Sequence, residues 1–273
     1  MALGAVGLVV AVVIVLVAVK LTASSGSGAP GATGAPRDLP ATATVLGAVT
    51  RAPLSVADTV GTPGSVTAPV VDTSQPPLEH DGLPAALYIG GEFCPNCAAE
   101  RWPIVMAFAR FGTFHGLTET TSSPWEGPLI ATLSFRHATY TSALVAFDPV
   151  EEEGNDTRGP DTHAVIHPLS AAQRALWSTY ATRYTGGAEG YPFLTVGNRF
   201  LVMGRSYDAS ALAGLSAGRI AADLSDPASP VTQGIVGSAT YLTAGLCSLT
   251  GGRPAAVCSA GAVVAARHTL GIH

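Results

Sequence analysis

Positive charge is scarce in this chain of 273 residues. Lysine and arginine together number 14 against 19 aspartate and glutamate residues, which gives a formal net charge of -5. The basic residues form no cluster anywhere along the sequence. A surface that binds a phosphate backbone needs clustered Lys and Arg side chains, so the composition argues against a nucleic-acid partner.

Charge is absent altogether from the segment between Met1 and Val19. A helix of that length spans about 28 Å, close to the hydrocarbon thickness of a bilayer. The segment predicts a transmembrane anchor or a signal sequence over residues 1–21, and its length favours an uncleaved anchor. Residues 22–40 are mostly Gly, Ala, Pro and Ser, which predicts a flexible linker. We expect residues 41–273 to form one domain on the extracytoplasmic side of the cell membrane.

Cysteine is also rare, with four residues, and two of them lie close together in Cys94-Pro95-Asn96-Cys97. An apolar, strand-like run precedes this motif and a helix-patterned run follows it. A helix N-terminus presents unpaired N–H groups and a positive partial charge, which stabilise a thiolate on Cys94 and leave Cys97 to close a disulfide behind it. The spacing therefore predicts a redox dithiol. Half of a zinc site and a purely structural disulfide remain alternatives.

A proline stands at the entry to a predicted β-hairpin. Pro192 follows Tyr191 and precedes two short apolar runs separated by a Gly-Asn turn. On its own, a proline at a strand start is ordinary. Combined with the dithiol, the pattern resembles the thioredoxin superfamily, in which this proline is cis and lies against the active cysteines. The resemblance implies a cis Tyr191–Pro192 bond in contact with Cys94 and Cys97.

A narrower resemblance lies between Tyr88 and Trp102, where the sequence reads YIGGEFCPNCAAERW, and continues in Arg110-Phe111-Gly112. The segment is similar to a functionally uncharacterised family of membrane-anchored, thioredoxin-like proteins of actinobacteria and archaea, domain of unknown function 929. The resemblance implies an α/β, thioredoxin-like fold with helical insertions. It implies no substrate.

The hydrophobic periodicity predicts strands and helices in mixed order, with an antiparallel hairpin near the end of the sheet. Two short helices are expected on either side of Pro53, and an extra helical hairpin is expected at the C-terminus. The main elements are predicted as strands at 85–90, 129–135 and 142–147, helices at 94–111, 170–184 and 216–224, and a hairpin beginning at Pro192.

The acidic residues are concentrated between Asp148 and Asp161, where six carboxylates accompany one arginine. Such a run is typical of a solvated loop, so we expect a loop insertion here. A docking loop or a calcium-binding loop is the alternative.

Cys247 and Cys258 flank a Gly-Gly turn between two small-residue runs. The arrangement predicts a structural disulfide that joins the two helices of the C-terminal hairpin in an oxidising compartment. A relay of electrons between this pair and the dithiol is the alternative.

The dithiol predicts the roles of its neighbours. We expect Cys94 to be exposed and nucleophilic and Cys97 to resolve the mixed disulfide. Glu92 is the candidate to exchange a proton with the resolving thiol, with Glu100 as the alternative. Glu100 and Arg101 are interpreted as supporting residues, with helix-surface positions as the alternative. The supporting set also contains Pro95, Asn96 and Tyr191.

These patterns favour a thiol-disulfide oxidoreductase acting on cysteines of protein substrates, with a membrane redox partner. The chemistry is that of the two thiols, so no cofactor and no metal is implied. Two other readings stay open. One is a copper-handling protein that binds the metal through Cys94, Cys97 and a histidine, and the other is a non-catalytic scaffold with two structural disulfides.

Overall fold

The computed structural model describes residues 38–155 and 163–272, and it has the expected α/β architecture. The strands are Leu39–Pro40 (β1), Val70–Val71 (β2), Glu79–His80 (β3), Leu83–Gly91 (β4), Thr113–His115 (β5), Thr118–Thr121 (β6), Ala131–Ser134 (β7), Thr139–Thr141 (β8), Ala146–Glu153 (β9), Phe193–Val196 (β10) and Phe200–Met203 (β11). The helices are Ala43–Thr50 (α1), Leu54–Val60 (α2), Pro95–Phe108 (α3), Ala171–Tyr184 (α4), Ala217–Asp223 (α5), Pro230–Leu249 (α6), Ala255–Cys258 (α7) and Gly261–Thr269 (α8), with a 3₁₀ turn at Ala209–Leu212.

The main sheet is built around β4. Its strand order is β2–β11–β10–β4–β9, and β3 pairs with the first residues of β4. β9 runs parallel to β4, whereas β10 and β11 run antiparallel to their neighbours. Helices cover both faces of the sheet, because alternate residues of β4 belong to two cores. Tyr88 faces the core that contains α3 and α6, and Ile89 faces the core that contains α4.

Helix α3 is the most deeply buried helix of the fold, and every residue from Cys97 to Phe108 is buried. It contains Pro103, which has no N–H to donate to the carbonyl of Ala99 one turn earlier. The hydroxyl of Tyr207 donates a hydrogen bond of 2.8 Å to that carbonyl instead. This outside donor allows the proline to lie within the helix. The helix ends at Phe108, three residues before the predicted end.

A four-strand insertion, β5 to β8, separates α3 from β9. Its strand β7 is hydrogen bonded to α3 through two side chains, since Trp102 donates to the carbonyl of Ala131 and Thr132 donates to that of Ala98. The strand predicted at 129–135 is β7. The strand predicted at 142–147 corresponds to β9 with the wrong bounds, because residues 142–145 connect β8 to β9, which begins at Ala146.

The acidic segment differs most from its prediction. Its first part is not a solvated loop but strand β9, which pairs with β4 along its length. Glu151 and Glu152 are buried there because arginine and tyrosine side chains bind their carboxylates. Residues 156–162, which include the end of the run, lie outside the described residues.

The C-terminal hairpin is confirmed. Helix α6 ends at Leu249, the chain turns through Gly251 and Gly252, both with positive φ, and a disulfide joins Cys247 to Cys258. The two short N-terminal helices are also confirmed as α1 and α2. The predicted membrane segment lies outside the described residues, and none of the helices within residues 38–155 and 163–272 has the length and apolar character needed to cross a bilayer.

Candidate functional site

The dithiol lies at the N-terminus of α3. Cys94 is the N-cap residue, Pro95 occupies the first turn, and the backbone N–H of Cys97 donates a hydrogen bond of 3.2 Å to the Cys94 sulfur. Both cysteines are free thiols. Cys97 is fully buried, and Cys94 is only 7% exposed. The expected exposure of Cys94 is therefore wrong, and the Tyr191 carbonyl is one of the groups that lie against its sulfur.

The two thiols differ in acidity. The Cys97 thiol and backbone N–H donate hydrogen bonds to the Cys94 sulfur, and with the Arg101 charge they lower the pKa of Cys94 below its usual value. Burial raises the pKa of Cys97 well above its usual value, and its hydrogen bond to Cys94 acts in the same direction. The arrangement favours ionisation of Cys94 before Cys97.

The Tyr191–Pro192 segment faces the dithiol. The peptide bond between these residues is cis, as predicted, and the carbonyl oxygen of Tyr191 lies 3.9 Å from the Cys94 sulfur. The Tyr191 ring stacks on Trp177 with 5.3 Å between centroids, and its hydroxyl donates a hydrogen bond of 2.6 Å to Glu152. These contacts fix the loop against the sulfur that is predicted to react.

Three charged side chains lie beneath the motif. Arg101 donates hydrogen bonds of 2.7 Å and 2.6 Å to the two carboxylate oxygens of Glu151, and another of 2.8 Å to the carbonyl of Gly91. Its guanidinium also lies 3.8 Å from Glu92. All three charged side chains are buried, so Arg101 is not on the helix surface, and its charge is matched by carboxylates from β9 and from the turn before Cys94.

Glu92 lies in the turn before Cys94 and is also held by a hydrogen bond from the β5–β8 insertion. The hydroxyl of Ser134, at the end of β7, donates a hydrogen bond of 2.7 Å to its carboxylate. Burial raises the pKa of Glu92 to about 7, although Arg101 acts in the opposite direction. A carboxyl group with this pKa can bind or release a proton near neutral pH, which is the property its predicted role requires.

Glu100 is also buried, contrary to the helix-surface alternative. Its carboxylate accepts hydrogen bonds of 2.9 Å from the Ser206 backbone N–H and 2.8 Å from the Ser206 hydroxyl. Burial raises the pKa of Glu100 to about 7. The Glu100 side chain thus connects α3 to the loop after β11 through these two hydrogen bonds.

The rim of the site is aromatic. Phe93 stacks on His163 with 3.5 Å between ring centroids, and His163 in turn pairs with Glu126 at 3.0 Å. The backbone N–H of Ser123 donates to the carbonyl of Phe93, which places the loop 122–127 beside the motif. On that loop Trp125 is 59% exposed. Asn96 is half-buried at the same rim.

Glu151 is the main site residue that the sequence reasoning missed, because it was assigned to the acidic loop. A signal was present in the sequence. Arg101 follows Glu100 and is otherwise surrounded by apolar residues in α3, and a buried guanidinium requires a carboxylate partner. Ser134 and Ser206 had no such signal, since their roles depend on which segments pack against α3. Within residues 38–155 and 163–272, no group of three or more His, Cys, Asp or Glu side chains is placed to hold a metal ion.

Comparison with known proteins assigns a family to the chain without an activity. No curated protein and no solved structure matches it. Residues 69–248 match the model of one family, described as a domain of unknown function (DUF929), and this range includes the dithiol, Arg101, Glu151 and Pro192. The chain belongs to this family.

Proposed function

We propose that the protein is a thiol-disulfide oxidoreductase that acts through Cys94 and Cys97. One observation carries the proposal. The two cysteines are free, Cys97 donates its backbone N–H to the Cys94 sulfur at the start of a helix, and the Tyr191 carbonyl lies 3.9 Å from that sulfur. A low-pKa thiol with a second thiol one helical turn away is suited to disulfide exchange.

We propose further that the fold is thioredoxin-like. The support is the strand order β9–β4–β10–β11, with one parallel pair and one antiparallel hairpin. Helices α3 and α4 lie on opposite faces of this sheet, and α6 follows the hairpin. The insertion β5–β8 and the C-terminal hairpin are then additions to that core.

The proposed exchange conserves atoms and electrons. The Cys94 thiolate attacks one sulfur of a substrate disulfide, a Cys94–substrate bond forms, and the first substrate sulfur leaves as a thiolate. Cys97 then loses its proton and attacks the Cys94 sulfur, which releases the second substrate sulfur. The substrate disulfide gains two electrons, the dithiol loses two, and the departing thiolates take up protons. Glu92 is proposed to carry the proton of Cys97, and the same steps in reverse oxidise a substrate.

We propose an extracytoplasmic location for the domain at residues 41–273, with residues 1–21 as the membrane anchor. The disulfide between Cys247 and Cys258 supports an oxidising compartment, because such bonds persist mainly outside the cytosol. The proposed partners are protein substrates that carry cysteines and a redox protein of the same membrane. Cofactors are not required by the exchange.

The test is disulfide exchange with a protein substrate such as insulin. The domain should catalyse the reduction of insulin by a small thiol, and Cys94→Ala should abolish this activity. Cys97→Ala should accumulate a mixed disulfide between Cys94 and the substrate, which mass spectrometry can identify. The double variant Cys247→Ala, Cys258→Ala serves as the control and should remain active. An unchanged rate in the Cys94→Ala variant would contradict the proposal.

A further inference from the structure

Two buried polar atoms beneath the dithiol lack a hydrogen-bond partner in the part of the chain that the structure describes. One is the hydroxyl of Tyr88, on β4, and the other is Nη1 of Arg101, on α3. Both side chains are fully buried. Buried donors are normally paired, and one left unpaired lowers stability, so two such donors in one place call for an explanation.

The backbone brings these two groups together at the end of β4. Tyr88 and Gly90 lie on the same face of the strand, and the Tyr88 hydroxyl fills the space that a side chain at Gly90 would occupy. The phenol therefore extends along β4 towards the Cys94 motif. Arg101 reaches the same place from the helix, because its Nη2 donates to the carbonyl of Gly91.

Cys97 lies above this pair. It is one helical turn before Arg101 on α3, so the two side chains share a helix face, and helical side chains lean towards the N-terminus. Tyr88 lies in the core that α3 covers and interacts electrostatically with both Arg101 and Cys97. The Cys97 thiol thus lies near the Tyr88 O–H and the Arg101 guanidinium and interacts electrostatically with both, and neither the O–H nor Nη1 has a hydrogen-bond partner among the described residues.

We propose that the Tyr88 hydroxyl donates a hydrogen bond to the Cys97 sulfur when that sulfur becomes a thiolate, with Arg101 Nη1 facing the same charge. The proposal rests on the proposed function, because Cys97 ionises only to resolve a mixed disulfide. In that step the Cys97 thiolate attacks the Cys94 sulfur, the Cys94–Cys97 bond forms, and the Cys94–substrate bond breaks. The substrate sulfur leaves with the electron pair and takes up a proton.

In this account Tyr88 keeps its own proton throughout the reaction. Burial raises the pKa of Tyr88 well above its usual value, which suits a donor that must not ionise. A thiolate formed among fully buried side chains needs such a donor, because an uncompensated buried charge is costly. The Tyr88 hydroxyl, which has no hydrogen-bond partner among the described residues, is then available to the charge that appears during resolution.

The test separates the two steps by using dithiobis-nitrobenzoate as the substrate disulfide. Each molecule of the reduced protein should release two nitrothiobenzoate ions, the first when Cys94 attacks and the second when Cys97 resolves the mixed disulfide. In Tyr88→Phe, the first release should keep its rate and the second should slow about tenfold, since a hydrogen bond to a charged group is lost. The pH profile of the second release should also move to higher pH.

The control variant is Tyr207→Phe, which removes a buried hydroxyl that donates a hydrogen bond to the Ala99 carbonyl of α3. It should lower the melting temperature, because the carbonyl of Ala99 loses its donor, and should leave both release rates unchanged. Tyr88→Phe should show the opposite combination, with a melting temperature equal to or above that of the parent, because only an unpaired oxygen is removed.

Two results would overturn the inference, and they are distinguishable. If the parent protein releases both ions and Tyr88→Phe does so at the same rates and with the same pH profile, the role of Tyr88 is wrong and the proposed function stands. If the parent releases only the first ion, Cys97 does not resolve the mixed disulfide, and the proposed function and the inference fail together.

Discussion

Arg101 and Glu151 form a two-point ion pair in the interior of the protein, with both guanidinium–carboxylate hydrogen bonds between 2.6 and 2.7 Å. The pair joins α3 to β9, two elements that the chain separates by the whole β5–β8 insertion. Removing one member of such a pair leaves the other charge buried and uncompensated. The ion pair therefore holds the base of the dithiol helix against the sheet.

Glu151→Gln should lower the free energy of unfolding by about 3–5 kcal/mol, because it leaves the Arg101 charge without its main partner. Urea denaturation measures the change. The matched control is Glu189→Gln, which removes an exposed partner of Arg174 and should cost less than about 1 kcal/mol. Equal losses in the two variants would contradict the structural role of the buried pair.

Cys94 should be alkylated by iodoacetamide with a midpoint below that of an ordinary thiol, since its pKa is lowered chiefly by the hydrogen bond from Cys97. Replacement of that donor in Cys97→Ala should move the midpoint to higher pH, although the backbone N–H at position 97 remains. The reaction rate as a function of pH measures both values. If the parent protein showed a midpoint at the usual value for a free thiol, about 8.5, this would contradict the assignment of Cys94 as the nucleophile.

Glu100 should make stability depend on pH in the direction opposite to that of an ordinary ion-paired carboxylate. Its pKa in the folded protein is about 7, above its usual value of 4.5, so the folded state binds the proton more tightly than the unfolded state. The stability that this proton contributes is present at low pH and is lost as the pH rises from about 4.5 to about 7.

Glu100→Gln removes this titration and retains the shape of the side chain. The free energy of unfolding of the variant, relative to that of the parent, should rise by on the order of 3 kcal/mol from the low-pH end to the high-pH end of that range. Glu92 titrates in the same direction in both proteins, so its contribution cancels in the difference. Urea unfolding at a series of pH values gives the comparison, and a difference that stays constant with pH would show that Glu100 is not the group responsible.

The two cysteine pairs should be reduced in order, with Cys94–Cys97 first. Exposure does not set the order, because Cys94 and Cys258 are 7% and 6% exposed. The difference is that the N-cap geometry stabilises the reduced form of Cys94 as a thiolate, whereas the Cys247–Cys258 bond joins packed helices. We expect a reduction potential for the second pair below about -300 mV.

The double variant Cys247→Ala, Cys258→Ala should lose on the order of 2–3 kcal/mol of stability and retain its exchange activity. Thermal unfolding and the insulin assay measure the two effects separately. Loss of activity without loss of stability would instead favour an electron relay between the two pairs.

Features that depend on residues close together in the sequence could be predicted, and features that depend on contacts between distant segments could not. The dithiol at a strand-to-helix junction, the proline before the hairpin and the capped helix at 171–184 are local patterns, and the structure has each of them. The burial of Glu151 is not local, because it depends on Arg101 approaching from a different element. Acidic residues in a row therefore suggested a loop, whereas pairing with β4 and a buried cation place the first of them in strand β9 of the main sheet.

The burial of Cys94 was missed for a similar reason. Its local sequence fixes the N-cap position, but the atoms that cover the sulfur come from residues almost a hundred positions later in the chain. Single-segment patterns contain no information on that approach. The same holds for Ser134 and Ser206, whose hydroxyls bind Glu92 and Glu100 from the insertion and from the loop after β11.

Helix α3 has no side that faces solvent, since all its residues from Cys97 to Phe108 are buried. Backbone amides in such an element exchange with deuterium only when the whole domain unfolds, so they belong to the slowest-exchanging class. Cys94 and Cys97 are thus attached to a helix whose backbone hydrogen bonds should open least often in the native protein. We therefore expect movements that accompany oxidation or reduction in the loops that contact the motif, at residues 122–127 and 191–192, rather than in the helix.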